Sequence, residues 1–285
     1  MDELQLLQSI YASATQSKVI TIGPGDDMGE LLIGKERLLC AVDQLIVGRH
    51  VQPDVPPKVI GYKAIARCFS DIAAMCATPV GSLMTACVSS ITSNEWCDAV
   101  FTGAKEAAER WGGPIFGGDI ASCDETSTLF TVTALAKPGP ITTLRTGAQA
   151  GDFLCTTGEL GNAIQGHHLT FTPRITEAQE LLEILGRNLH SMIDISDGLG
   201  LDASHLASDS LQLVIDTASL PLRKGASIQN ALSDGEDYEL LFTTSKIPEH
   251  ELVTVIGQVQ ERNLNSPSVI DEQGNDLSSM GWEHT

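Results

Sequence analysis

The chain has 285 residues, 42% of them apolar and 19% charged, the balance of an ordinary globular protein and not of a disordered or fibrous one. Its 17 basic against 37 acidic side chains give a formal charge of −20, which repels nucleic acid and anionic membrane over most of the surface. No stretch approaches the ~20 apolar residues needed to span a bilayer, and the N-terminal MDELQLLQSIYAS lacks the basic flank and apolar core of a signal peptide.

In chain order, the first strand-like run covers residues 38–42. A helix follows from Pro57, a residue suited to the first helical turn, with apolar positions at Ile60, Ala64, Ile65, Cys68, Ile72 and Met75 and an end before Thr78-Pro79. Residues 80–88 read as a strand. A second helix opens at Thr92-Ser93-Asn94-Glu95, whose T-x-x-E spacing is a capping box, and continues to about Trp111. Further strands are expected over 129–136, 153–156, 192–195 and 238–242, giving a mixed α/β pattern. Between Lys137 and Gly151 the sequence KPGPITTLRTGAQAG marks a loop, and we place a boundary near residue 140 between domains 1–140 and 141–285. The seven cysteines (Cys40, Cys68, Cys76, Cys87, Cys97, Cys123, Cys155) are odd in number, contain no C-x-x-C pair and lie mostly among apolar residues. They read as buried free thiols of a reducing compartment, so a cytoplasmic location is expected.

Acidic residues follow apolar strands or sit beside glycines at Gly25-Asp26-Asp27, Val42-Asp43, Ser70-Asp71, Gly117-Gly118-Asp119, Asp194-Ile195-Ser196-Asp197 and Gly235-Glu236-Asp237. Glycine lets the backbone turn sharply and approach a ligand, so carboxylates at such places can point into one crevice. Crowded carboxylates repel one another, and hard divalent cations with oxygen ligands relieve that repulsion. Mg²⁺ in particular is shared between a few carboxylates, waters and substrate phosphates. Taken singly, some of these places also have a plainer explanation. Gly25-Asp26-Asp27 suits a turn, Ser196 or Asp197 suits a helix N-cap, and Asp71, flanked by Phe69, Ile72 and Ala73, either faces solvent or has a partner. The G-x-x-x-x-G-K-[ST] loop, a strand-linked G-x-G-x-x-G, the kinase H-R-D and D-F-G pair and the G-x-S-x-G elbow do not occur. Adjacent His167-His168 and the scattered remaining histidines do not suit a tetrahedral zinc site, and they read as ordinary loop residues.

Together, GPGDD at 23–27, VDQLIVGRH at 42–50, GYKAIARCFSDIAAMCATP at 61–79, FGGD at 116–119, RTGAQAGD at 145–152, IDISDGLGLD at 193–202 and GEDYELLFT at 235–243 resemble the thiamine-monophosphate kinase family. That family belongs to a superfamily with aminoimidazole ribonucleotide synthetase, selenophosphate synthetase and a hydrogenase-maturation protein. The resemblance implies two α/β domains of the aminoimidazole ribonucleotide synthetase-like fold, with N-terminal domains pairing in a homodimer. It implies ATP as co-substrate, several Mg²⁺ ions, thiamine monophosphate as acceptor, and direct transfer of the phosphoryl group. Carried over residue by residue, it gives Asp27, Asp43, Asp71, Asp119, Asp194 and Asp197 as metal ligands, Asp71 and Asp197 being central to catalysis. Gly118, Arg145 and Ser196 are expected to hold ATP, and His50, Glu236 and Trp282 the thiamine substrate.

Three departures accompany the match. Ala41-Val42 precedes Asp43 where the family has a Ser/Thr pair, Asp234 replaces a glycine, and Met28-Gly29-Glu30 follows the Asp pair in place of small apolar residues. Two other readings therefore stay open. One is a superfamily enzyme with a different acceptor, although no cysteine precedes Gly23 and the chain ends Gly281-Trp282-Glu283-His284-Thr285, against the selenophosphate and maturation branches. The other is a degenerate member that binds nucleotide without turnover.

Overall fold

A computed structural model describes residues 3–15, 17–124, 128–263 and 265–282. After helix α1 (Glu3–Ala12), the first half builds one sheet from β1 (Ile20–Ile22), β2 (Gly29–Ile33), β3 (Glu36–Ile46), β4 (Thr78–Ser89), β5 (Ile115–Cys123) and β6 (Leu129–Lys137). Their order is β1-β2-β3-β6-β4-β5, antiparallel except for β4 beside β5. Helix α2 (Pro57–Ala74) leads into β4 and α3 (Asn94–Arg110) into β5.

The second half forms a sheet from β7 (Phe153–Thr157), β8 (Leu189–Asp194), β9 (Leu211–Ile215), β10 (Leu240–Thr244), β11 (Val253–Glu261) and β12 (Val269–Asp271), in the order β12-β9-β11-β7-β10-β8. Helices α4 (Ile175–Leu185), α5 (Leu199–Leu206) and α6 (Ile228–Ser233) accompany it. The fold is thus mixed α/β with two mixed sheets, as the sequence leads one to expect.

Pro57 opens α2 as its first helical residue, where a missing N–H costs nothing. In α3 the N-cap is Ser93, one residue later than the T-x-x-E spacing suggests; its hydroxyl accepts from the Trp96 N–H. Two glycines lock these helices together. A Cβ on Gly61 would lie 1.9 Å from the Val100 carbonyl oxygen, and one on Gly103 would lie 1.9 Å from that of Lys58, so only glycine allows this approach.

Strand alternation gives the first sheet two faces. Leu39, Ala41, Met84, Ala86, Phe130, Val132, Ala134 and Ala136 point inward and are buried, packing in one cluster with Ile60, Ile65, Cys68, Phe69 and Ile72 of α2. The same cluster takes in Met192, Leu240 and Phe242 of the second sheet. Helix α2 therefore lies between the two sheets, with one side available to a crevice between the halves. Cys68, Cys76 and Cys155 are buried, but Cys40, Cys87, Cys97 and Cys123 are only half-buried, which corrects the expectation of a uniformly buried set. All seven are free thiols.

Candidate active site

Lys63, Arg67 and Asp71 follow one another at helical spacing, four residues apart, and so share one face of α2. Arg67 and Asp71 line a pocket of about 440 Å³, and Lys63 is bonded to residues that line it. The other walls come from the turn before β2, the end of β8, the turn at 196–198, the segment 234–238 and Trp282.

At one end three carboxylates converge. Asp27, Asp71 and Asp194 each offer an oxygen, and the three atoms lie within 4.8 Å of one another. Asp27 is buried; its Oδ1 accepts from Arg145 Nη2 at 2.9 Å and Nε at 3.2 Å, while Oδ2 has no hydrogen-bond partner among the described residues. The Arg145 backbone N–H donates to Asp26, so both acids of the Gly25-Asp26-Asp27 turn fasten this arginine. Ser70 Oγ donates to Asp194 Oδ2 at 2.6 Å. Burial, reinforced by the Asp27 charge, pushes the Asp194 carboxyl up to about 7. Burial followed by the charges of Asp194, Asp43 and Asp27 lifts Asp71 well above the ordinary range. Three converging hard oxygens, an orphaned buried oxygen on Asp27, and like charge that Arg145 relieves only in part fit a divalent cation such as Mg²⁺.

Asp43 and Asp197 line the same pocket. Asp43 is engaged by Arg67, whose Nε lies 3.0 Å from Oδ2. Asp197 and Ser196 sit on a turn fixed by buried Asp202, whose Oδ2 accepts the N–H groups of Ser196, Asp197 and Gly198 at 2.9, 3.0 and 3.0 Å. Gly198 is the N-cap residue of α5, so neither Ser196 nor Asp197 serves as that cap.

The opposite end is built around Glu236. It accepts from the fully buried Lys63 ammonium and from Tyr238 Oη at 3.1 Å, and its Oε2 lies 3.1 Å from His168 Nδ1. Burial opposes its charge, but His168 and Lys63 overcome that and hold the carboxyl down to about 2. The backbone here is strained: Gly235, Glu236 and Tyr238 have φ of 70°, 60° and 51°, costing on the order of 1–3 kcal/mol for each non-glycine residue. Flanking ion pairs hold it in place. Asp237 accepts from Arg223 Nη1 at 2.6 Å and Gly161 N at 3.0 Å, and Glu239 accepts from Arg174 at 2.6 and 2.7 Å. Tyr238 also stacks on Phe171 at 4.0 Å.

Lys63 further donates to the His50 carbonyl at 2.5 Å, and His50 Nδ1 accepts from Ile46 N at 3.0 Å. Trp282 is 42% exposed at the pocket wall and is not a core anchor. The Arg49 guanidinium lies 4.9 Å from the Trp282 ring centroid, and the Trp282 backbone N–H donates to the Asp197 carbonyl at 2.8 Å. The last described residue is thereby tied to the turn that carries Ser196 and Asp197.

The pocket thus brings together Asp27, Asp43, Asp71, Asp194, Asp197, Arg145, Ser196, His50, Glu236 and Trp282. Gly118 and Asp119 are elsewhere, on exposed edge strand β5. Asp43 pairs with Val132, Val132 with Met84, and Met84 with Gly118. Asp119 is thus three strand spacings away, roughly 14 Å, and by alternation on the opposite face. Sequence reasoning missed Lys63, Arg67, His168, Tyr238 and Asp202. The i, i+4, i+8 run of charges in an apolar helix marks Lys63 and Arg67, and His168 is no ordinary loop residue. Nothing local marks Asp202.

Residues 25–137 match the family described as AIR synthase related protein, N-terminal domain. A thiamine-monophosphate kinase of Rhodopirellula baltica is 32% identical over 84% of this chain and 81% of its own length. One from Pyrococcus horikoshii is 30% identical over 91% and 90%. Among solved structures, AaThiL complexed with AMPPCP and TMP superposes with a TM-score of 0.87 at 28% identity, covering 99% of this chain and 97% of that one. The Aquifex aeolicus thiamine monophosphate kinase structure gives 0.79 at 25% identity, with 97% of each chain covered. Hydrogenase maturation protein HypE shares the fold at 16% identity, covering 87% of this chain and 90% of that one, with a TM-score of 0.71. On this end-to-end similarity, the chain belongs to the thiamine-monophosphate kinase family.

Proposed function

We propose that this protein phosphorylates thiamine monophosphate to thiamine diphosphate at the expense of ATP. The observation that carries the reading is one pocket with a converging carboxylate triad at one end and an exposed indole with an ionised Glu236 at the other. The thiazolium cation suits the second end, since an aromatic face and a nearby carboxylate both favour positive charge. Phosphates and their cations suit the first. Mg²⁺ held there by Asp27, Asp71 and Asp194, with Asp43 and Asp197 beside them, would neutralise the two anionic groups that must meet.

In the transfer, an acceptor phosphate oxygen bonds to the γ-phosphorus of ATP as the bond to the β–γ bridging oxygen breaks, and ADP leaves. The nucleophile is already an anion, so no side chain has to take a proton, and positioning is the main task. Asp71 and Asp194 would hold the cations, Asp202 holds the Ser196-Asp197 turn, and Lys63 aims Glu236. Arg145 is fastened to Asp27, and in this reading it faces ATP without leaving that pairing. Residues 1–140 bring Asp27, Asp43 and Asp71 to the pocket, and residues 141–285 bring Asp194, Asp197, Asp234 and Glu236.

The same reading includes a homodimer through the outward face of the first sheet, where Val42, Leu83, Thr85 and Leu135 lie, and along β5, whose Phe116 and Ile120 are exposed. Such pairing would cover an edge strand, and Gly118 and Asp119, too far from their own pocket, would act only there. Among the described residues no helix is long and apolar enough to cross a membrane.

The test is ADP release with Mg²⁺ and ATP, with thiamine monophosphate as acceptor and thiamine as control. Release should require the phosphorylated acceptor, stop on chelation, and fall by roughly two orders of magnitude in Asp71→Asn with unchanged folding. ADP release indifferent to the acceptor would overturn the proposal in favour of a different substrate.

A further inference from the structure

We propose that Arg67 is a resident phosphate-binding residue, which lets the pocket select phosphorylated over free thiamine independently of any metal. The inference rests on the substrate proposed above and adds a role that neither the sequence motifs nor the comparisons assign.

The argument starts from the face of α2. Lys63, Arg67 and Asp71 are spaced by four residues, hence roughly 6 Å apart along the axis. Lys63 belongs to the Glu236 end and Asp71 to the carboxylate triad. Arg67 stands between, where a ligand bound at both ends carries the phosphate it presents for reaction.

Charge narrows the choice further. Three arginines line the pocket: Arg49, Arg67 and Arg145. Arg145 is committed to Asp27 through two nitrogens, and Arg49 lies over the Trp282 ring. Arg67 is weakly used. Its Nη2 donates to Asp43 Oδ1 at a long 3.3 Å, its Nε is near Asp43 without hydrogen-bond geometry, and buried Nη1 has no hydrogen-bond partner among the described residues. A guanidinium has five N–H donors in a planar fork suited to phosphate oxygens. With its side chain only 12% exposed, water can satisfy few of them, and a buried donor left unpaired is costly. A phosphate entering beside Asp43 supplies the missing acceptors. A permanent counter-ion for Asp43 alone would leave those donors idle.

The test compares Kd for thiamine monophosphate and for thiamine by calorimetry, with EDTA and then with Mg²⁺, in wild type, Arg67→Met and Arg67→Lys. Metal-free wild type should prefer the phosphorylated ligand, and inorganic phosphate should compete with it but not with thiamine. Arg67→Met should weaken thiamine monophosphate by about 10- to 100-fold, the loss expected for a charge-assisted hydrogen bond, and leave thiamine within about twofold. Arg67→Lys should fall between. Equal losses for both ligands, an unchanged preference in Arg67→Met, or a metal-free wild type with no preference would overturn the assignment. If Arg67→Met does not fold, Arg67→Lys carries the comparison, and an unchanged preference in that variant, with inorganic phosphate competing as in wild type, overturns the assignment. Wild type that binds neither ligand, with or without Mg²⁺, would instead sink the substrate reading.

Discussion

Asp194→Asn should make the metal-free protein more stable at neutral pH while removing its response to Mg²⁺. Asp194 is buried at 3% exposure, and its carboxyl is pushed up to about 7 by burial and by Asp27. An ordinary aspartate titrates near 3.9, at about 1.36 kcal/mol per pKa unit, so holding this carboxylate ionised costs on the order of 2–4 kcal/mol once the pH exceeds 7. The folded-state pKa is raised. Wild-type stability is therefore complete below about 4, declines as the pH rises through about 7, and stays low above it. The amide keeps an acceptor for Ser70 Oγ and removes the charge. At pH 8 with EDTA, the melting temperature of the variant should exceed that of wild type by roughly 5–12 °C, at about 2–4 °C per kcal/mol for this chain length. At pH 4.5 the two should nearly coincide. Adding Mg²⁺ should raise wild type and leave the variant almost unmoved. A variant that melts lower than wild type at pH 8 without metal would show that the triad is neutralised by its own protein partners, and the reasoning would fail.

Three further outcomes test other parts. Trp282→Ala should weaken thiamine monophosphate by roughly 1–2 kcal/mol, as for loss of a stacking or cation–π contact, and leave the apparent ATP affinity unchanged; equal losses for both substrates, read from separate titrations, would count against it. Gly61→Ala forces a methyl group onto the Val100 carbonyl and should cost roughly 3 kcal/mol by thermal melting, with KM values untouched. Sedimentation at micromolar concentration should find a dimer for wild type and a monomer for Leu135→Glu, which puts a charge on the outward face; a monomeric wild type would remove the pairing.

Much of this was legible locally. The α2 start follows from Pro57, which suits a first helical turn, and the central strands follow from apolar runs of which alternate residues are buried. Strand ends were less visible: β3 extends to Ile46, beyond the expected 42, because its partner β6 carries the ladder on. Edge strand β5 escaped notice, since glycines and exposed side chains give no alternation. Among site residues, Asp27, Asp43, Asp194 and Asp197 were found because glycines or strand runs mark them, and Asp71 because it is a lone acid flanked by apolar residues of a helix. Lys63, His168 and Asp202 escaped because their roles depend on partners from distant segments, Glu236 for the first two and the 196–198 backbone for the third. Asp119 shows the reverse case, a clear motif whose chain position places it away from the pocket.

The most direct test of the central claim is transfer of label from [γ-³²P]ATP in the presence of Mg²⁺ and thiamine monophosphate. The label should appear in thiamine diphosphate in proportion to ADP formed, with none transferred to thiamine. Label found only in inorganic phosphate, or no product from a folded, Mg²⁺-loaded protein, would contradict it.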